Sequence, residues 1–163
     1  DDTAPMAGVV SHLIDELEEP RPEQVICVLL PTVPLRSSAD VDAAVRRFMH
    51  SDATSLVTVN EYATPVQWAC ELEDRDRLRP ACDEGPLWQD DEVRSQDLQG
   101  LVHPNGMVFA SRIDGWAEHE SFYTDDTIAH MTPTVRSLDV DEPWQLDMVR
   151  AIHAHGLHKS KNG

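Results

Sequence analysis

Lysine is almost missing from this sequence, at two of 163 residues against eleven arginines, eighteen aspartates and twelve glutamates. A net charge of −17 argues against a nucleic-acid partner, because a phosphate backbone is gripped by clustered Lys and Arg. Long hydrophobic runs are also missing. No stretch approaches the roughly 20 apolar residues of a membrane span, and nothing resembles a signal peptide. The expectation is a cytoplasmic chain without membrane contact. The three cysteines, Cys27, Cys70 and Cys82, are odd in number and far apart, in no metal-ligand spacing, and read as reduced thiols. No Gly-rich phosphate loop occurs, and no Ser-His-Asp or Cys-His arrangement can be argued.

The composition that remains, 40% hydrophobic and 26% charged, is that of a globular protein, and the length fits one domain with a sizeable core. Met6, Val9, Val10, Leu13, Ile14 and Leu17 fall at helical spacing, so residues 5–19 read as an amphipathic helix capped by Thr3 and ended at Glu19-Pro20. "VICVLL" (25–30) is a continuous apolar run, which predicts a strand buried on both faces of a parallel sheet. The Pro-stiffened loop "PTVPLR" follows it. Ser38 is the expected cap of a second helix with Val41, Ala44, Val45 and Phe48 on one face. "SLVTVNE" (55–61) is a further strand. This alternation predicts an α/β fold with a doubly wound, mostly parallel sheet.

Between Ala63 and Gly100 no crossover helix is legible. "VQWACEL" reads as a strand, "EDRDR" as a turn and "LRPACDEGPLWQDDEV" as an irregular polar stretch, an excursion of the kind that forms lids or oligomer contacts. "GMVFASR" (106–112) returns to strand, Asp114–His119 is a short helix, "IAHM" a strand, and residues 142–154 a final helix with Trp144, Met148 and Ile152 as its apolar side. "HKSKNG" is a polar tail. "HAHGLH" (153–158) reads as a frayed helix end, and the four tryptophans as core or interface anchors.

Chemistry concentrates in "RSLDVDEPWQLD" (136–147), where Asp139 and Asp141 stand two apart ahead of a helix. In a strand such a spacing turns both carboxylates to one face, where they can meet one ion. Mg²⁺ is held by one or two carboxylates plus phosphates and water. The other reading makes Asp141 the helix cap and Asp139 a solvated residue, in a chain that is acidic throughout. Arg94 and Gln96 in "VRSQDLQGLVHPNG" suit recognition of a carboxylate or hydroxyl, or else belong to a polar loop. Thr32 and Arg36 lie in the rigid loop after the first strand, at the sheet edge where α/β folds bind ligands.

In order along the chain, "DTAPMAGVVSHLIDEL", "LLPTVPLR", "PVQWACELEDRDRLRP", "RSQDLQGLVHPNGMVFASR" and "SLDVDEPWQLD" together resemble the acylneuraminate cytidylyltransferase family, the CMP-sialic acid synthetases and their pseudaminate and legionaminate relatives. The resemblance implies a nucleotide-diphospho-sugar transferase-like fold over residues 1–158, a tail at 159–163, and an inserted dimerisation arm at 63–95 that makes a homodimer. It implies nucleotidyl transfer, in which the anomeric hydroxyl of a nonulosonic acid attacks the α-phosphorus of CTP and pyrophosphate leaves. Asp139 and Asp141 would hold Mg²⁺ or Mn²⁺. Arg94, Gln96, His103, Asn105, Gly106 and Thr32 would contact substrate.

Three departures from the family pattern stand out. Leu30 replaces a Gln at a sugar contact, and Ser95 replaces an Arg, with Arg94 one position earlier. The family's opening strand and Gly-rich basic loop for the triphosphate are not found, which implies an N-terminally truncated chain inactive alone. The alternative is a non-catalytic remnant serving as a dimeric interaction module.

Overall fold

A computed structural model describes residues 5–82, 86–88 and 94–159. Thr3, part of the 63–95 segment and nearly all of the 159–163 tail lie outside the described residues. The chain divides into two compact units, residues 1–60 with 104–163, and residues 61–103.

The larger unit is a mixed α/β layer structure. Its helices are α1 (Met6–Asp15), α2 (Ser38–Met49), α3 (Ile113–His119) and α4 (Pro143–Ala154), and its strands are β1 (Val25–Val28), β2 (Ser55–Glu61), β5 (Val102–Arg112) and β6 (Thr127–Met131); β2 and β5 run on into the second unit. The sheet order is β1-β5-β2-β6. β1 pairs antiparallel with β5, Cys27 opposite Ala110, and β2 pairs parallel with β6, Val57 opposite Ala129. Successive residues of a strand face opposite sides of the sheet, so two cores form. On one side Val57, Val59 and Phe109 pack with Val10, Trp116 and Phe122. On the other Leu56, Val108 and Ala110 meet Ala44 and Phe48 of α2. β2 is buried from Ser55 to Asn60, as a central strand must be.

Several sequence expectations need correcting. β1 ends at Val28 and is, among the described residues, an edge strand with antiparallel pairing, and only Ile26 of its four residues is fully buried. Its apolar run reflects a groove of about 300 Å³ on the α1 side, lined by Leu13, Leu17, Val25 and Cys27, rather than cover on both faces. Only Val10 of the α1 stripe is buried, while Val9 and Leu13 are exposed. In α4 the buried residue is Val149, and Trp144 and Met148 face outward. Ser37, not Ser38, caps α2. Its hydroxyl accepts from the Asp40 amide while the Asp40 carboxylate accepts from the Ser37 amide at 2.9 Å, the reciprocal arrangement that satisfies two orphan helix donors.

In the second unit a 3₁₀ turn (Val66–Trp68) replaces the start of the expected strand, and a hairpin of β3 (Cys70–Glu73) and β4 (Arg77–Pro80) follows, the latter where the sequence suggested irregular chain. Arg75 and Asp76, both at positive φ, make its turn. Arg79 bridges Glu71 and Glu73 on the facing strand.

Candidate functional site

The loop after β1 is fixed from within. Val33 and Leu35 are buried, and Arg36 Nη1 donates to the carbonyls of Leu30 and Met107, each at 3.1 Å. The Leu30 amide donates to the Gly106 carbonyl at 3.3 Å. Gly106 takes φ 71°, and a Cβ there would lie 2.7 Å from Leu30 Cδ1. Glycine at 106 therefore serves both the backbone conformation and the close approach of the loop.

Asp139 and Asp141 lie beside this loop. The segment that carries them is not a sheet strand; it is tied by one backbone hydrogen bond, from the Val140 amide to the Thr32 carbonyl at 2.9 Å. The helix cap is Glu142, and Gln145 Oε1 accepts from the amides of both Asp141 and Glu142, at 2.7 and 2.6 Å. The Asp141 carboxylate, exposed, is thus not spent on capping. Asp139 is half-buried, and its Oδ1 is shielded from water without a hydrogen-bond partner. A buried acceptor left unpaired is costly and calls for a donor or a cation. Two carboxylates fit Mg²⁺ or Mn²⁺ when phosphates and waters complete the shell. Among the described residues no group of three or more His, Cys, Asp or Glu forms a fuller metal cage.

Asn105 is buried inside a polar node. Its Nδ2 donates to Asn60 Oδ1 at 2.9 Å and to Thr132 Oγ1 at 2.7 Å, and its Oδ1 accepts from the Met107 amide at 3.1 Å. Ser137 Oγ donates to the same Asn60 Oδ1 at 2.6 Å. This node joins the ends of β2, β5 and β6 to the segment leading to Asp139. A side chain so committed spends both its donors and its acceptor inside the protein, holding backbone in place.

Arg94, Gln96 and His103 belong to the second unit. Arg94 and Gln96 are exposed at a 3₁₀ turn over Ser95–Asp97, and His103 is half-buried against Tyr62, ring centroids 4.7 Å apart. A cleft of about 220 Å³ in this unit is lined by Tyr62, Pro65, Ser95, Leu98 and Gln99.

Sequence reading missed Asp40, Arg136, Asn60 and Ser137. Arg136 Nε donates to both Asp40 oxygens, at 3.1 and 2.9 Å, and Nη2 to Oδ1 at 2.8 Å. Burial pushes the Asp40 carboxyl up, but hydrogen bonds from Arg136 and Ser37 outweigh it and hold the group below the usual carboxylate range. The Ser-x-x-Asp spacing at 37–40 was the one local signal available.

The architecture is thus that of an α/β protein with two uncommitted carboxylates beside the loop after an edge strand. No protein-family model matches the chain. Curated relatives do: the N-acylneuraminate cytidylyltransferases of Streptococcus agalactiae serotypes III, Ia and V are each 31% identical over 129 residues, 79% of this chain and 30% of the relative. Over that region the chain belongs to the acylneuraminate cytidylyltransferase family. It spans about 30% of the length of these curated relatives.

Proposed function

We propose that these residues form part of a CMP-nonulosonate synthetase, a cytidylyltransferase that joins a sialic-acid-type sugar to CMP from CTP with release of pyrophosphate. The observation that carries this reading is the unpartnered, buried Asp139 Oδ1 next to an Asp141 carboxylate free of cap duty. Asp139 and Asp141 would hold Mg²⁺ or Mn²⁺, which supplies positive charge to phosphate oxygens as negative charge builds in the transition state. The Thr32 loop and the Asn105–Gly106 stretch of β5 hold this edge rigid, so the protein's own contribution is positioning. Arg94, Gln96 and His103 would bind the sugar acid; an arginine can clamp a carboxylate through two parallel hydrogen bonds.

The same reading takes the fold as doubly wound and transferase-like, in a cytoplasmic homodimer. Leu72 and Leu78 support a dimerisation arm at 63–95, being directly opposed on the β3–β4 hairpin and 69% and 61% exposed. The 163 residues contain no Gly-rich basic loop, and negligible turnover is expected from them in isolation.

The rival reading, a non-catalytic interaction module, draws on Leu30, an apolar residue packed at Gly106 where the family carries a sugar-contacting Gln. Metal-dependent CMP-sugar formation by the protein in its complete form, assayed over a panel of acid sugars, decides between them. Asp141→Ala abolishes turnover if the synthetase reading holds. A complete protein that is inert on every sugar, and unchanged by the substitution, sinks it.

A further inference from the structure

The segment Arg136–Val140 is bonded at both ends to one stretch of chain, residues 32–40. At its far end the Val140 amide meets the Thr32 carbonyl. At its near end Arg136 grips Asp40 with three hydrogen bonds, at 2.8, 2.9 and 3.1 Å. Asp139 lies between these two ties. Asp40 is itself locked, accepting from the Ser37 amide at 2.9 Å and hydroxyl at 2.6 Å, which fixes its carboxylate to the end of the Thr32 loop.

Side-chain exposures of 7% for Asp40 and 20% for Arg136 put this ion pair largely out of water. Buried pairs return little net stability against their desolvation, and their best-attested use is to specify one geometry over its neighbours. The forked guanidinium suits that use, because it fixes direction as well as distance. No metal ligand or substrate group need touch either residue.

We propose that Asp40 and Arg136 are a positioning pair that sets the placement of the Asp139 and Asp141 carboxylates for a divalent cation. The proposal rests on the metal reading given above. Breaking the pair removes the tie at Arg136, leaving Asp139 held by the Thr32–Val140 bond on one side and, two residues back, by the Ser137 hydroxyl on Asn60 Oδ1.

The test is Mn²⁺ affinity, read from the paramagnetic resonance of free Mn²⁺ well below the melting temperature. A role confined to stability does not move affinity there. The central variant combines Asp40→Asn with Arg136→Met, which leaves net charge unchanged and no unpaired buried ion. Mn²⁺ should bind roughly 10-fold more weakly, the scale at which groups that orient metal ligands act. Arg136→Lys, milder to the fold, keeps the charge without the fork and should also weaken binding. Asp141→Ala, run alongside, should weaken binding most. Weakening by Asp141→Ala with unchanged affinity in both pair variants overturns the positioning role and leaves the metal reading standing. Unchanged affinity in all three overturns both.

Discussion

The Val140 amide donates to the Thr32 carbonyl at 2.9 Å, so the peptide between two aspartates is pinned to a loop more than a hundred residues earlier in the chain. A bond of this kind makes placement of Asp139 and Asp141 a property of the α/β framework rather than of their local sequence. The consequences can be read at the groups that support it.

Gly106→Ala should destabilise the protein by about 1–2 kcal/mol, because φ 71° is left-handed backbone that a Cβ disfavours. Leu30→Ala in the same chain should recover only the steric part, since Leu30 Cδ1 is the end of a flexible side chain and the backbone cost stays. Urea unfolding of the single and double variants measures both. Full recovery in the double variant would place the whole cost in the contact.

Asn105→Ala should cost more than a surface substitution. It strands Asn60 Oδ1 with one donor fewer and leaves the Met107 amide without its acceptor inside the core. Each buried group left unpaired costs about 1–3 kcal/mol. Thermal melts should show a clear drop for Asn105→Ala and almost none for Gln96→Ala, whose side chain is exposed. Equal melting temperatures would contradict the node.

His130 on β6 gives the stability a pH dependence. Burial lowers its pKa from the ordinary 6.5, Arg47 lowers it further, and Asp40 acts the other way. The unfolded chain therefore takes the proton first as pH falls. The stabilisation is complete above the unfolded value and is lost as pH falls through the lower, folded value. Melting temperatures between about pH 5 and pH 7.5 should fall more steeply for the native protein than for His130→Gln. Parallel slopes would rule His130 out as their source.

How much of this was legible beforehand varies by element. The short helix at Asp114–His119, the strand at "IAHM" and the last helix follow from local pattern and turn signals, and they are found within a residue or two. β1 misled because a continuous apolar run looks the same whether both faces of the strand are covered or part of it lines an open groove. The aspartate pair was visible as a spacing, yet the strand inferred from that spacing is absent, and the cap falls to Glu142. Asp40 and Arg136 are 96 residues apart, and no periodicity or propensity links residues at that distance. The candidate site was thus nameable from sequence, while what holds it was not.

β1, at the end of the sheet order, has a side with no ladder partner among the described residues, and exposed Leu13 of α1 and Leu17 just beyond it line a groove with Val25 and Cys27. An open edge of that kind invites strand-to-strand association between molecules. Against it stands the charge of −17, which makes every copy repel every other. That repulsion reaches only about 10 Å in 0.1 M salt and about 3 Å at 1 M. Colloidal behaviour then follows ionic strength: dilute buffers keep the molecules apart, and concentrated salt lets their open edges meet.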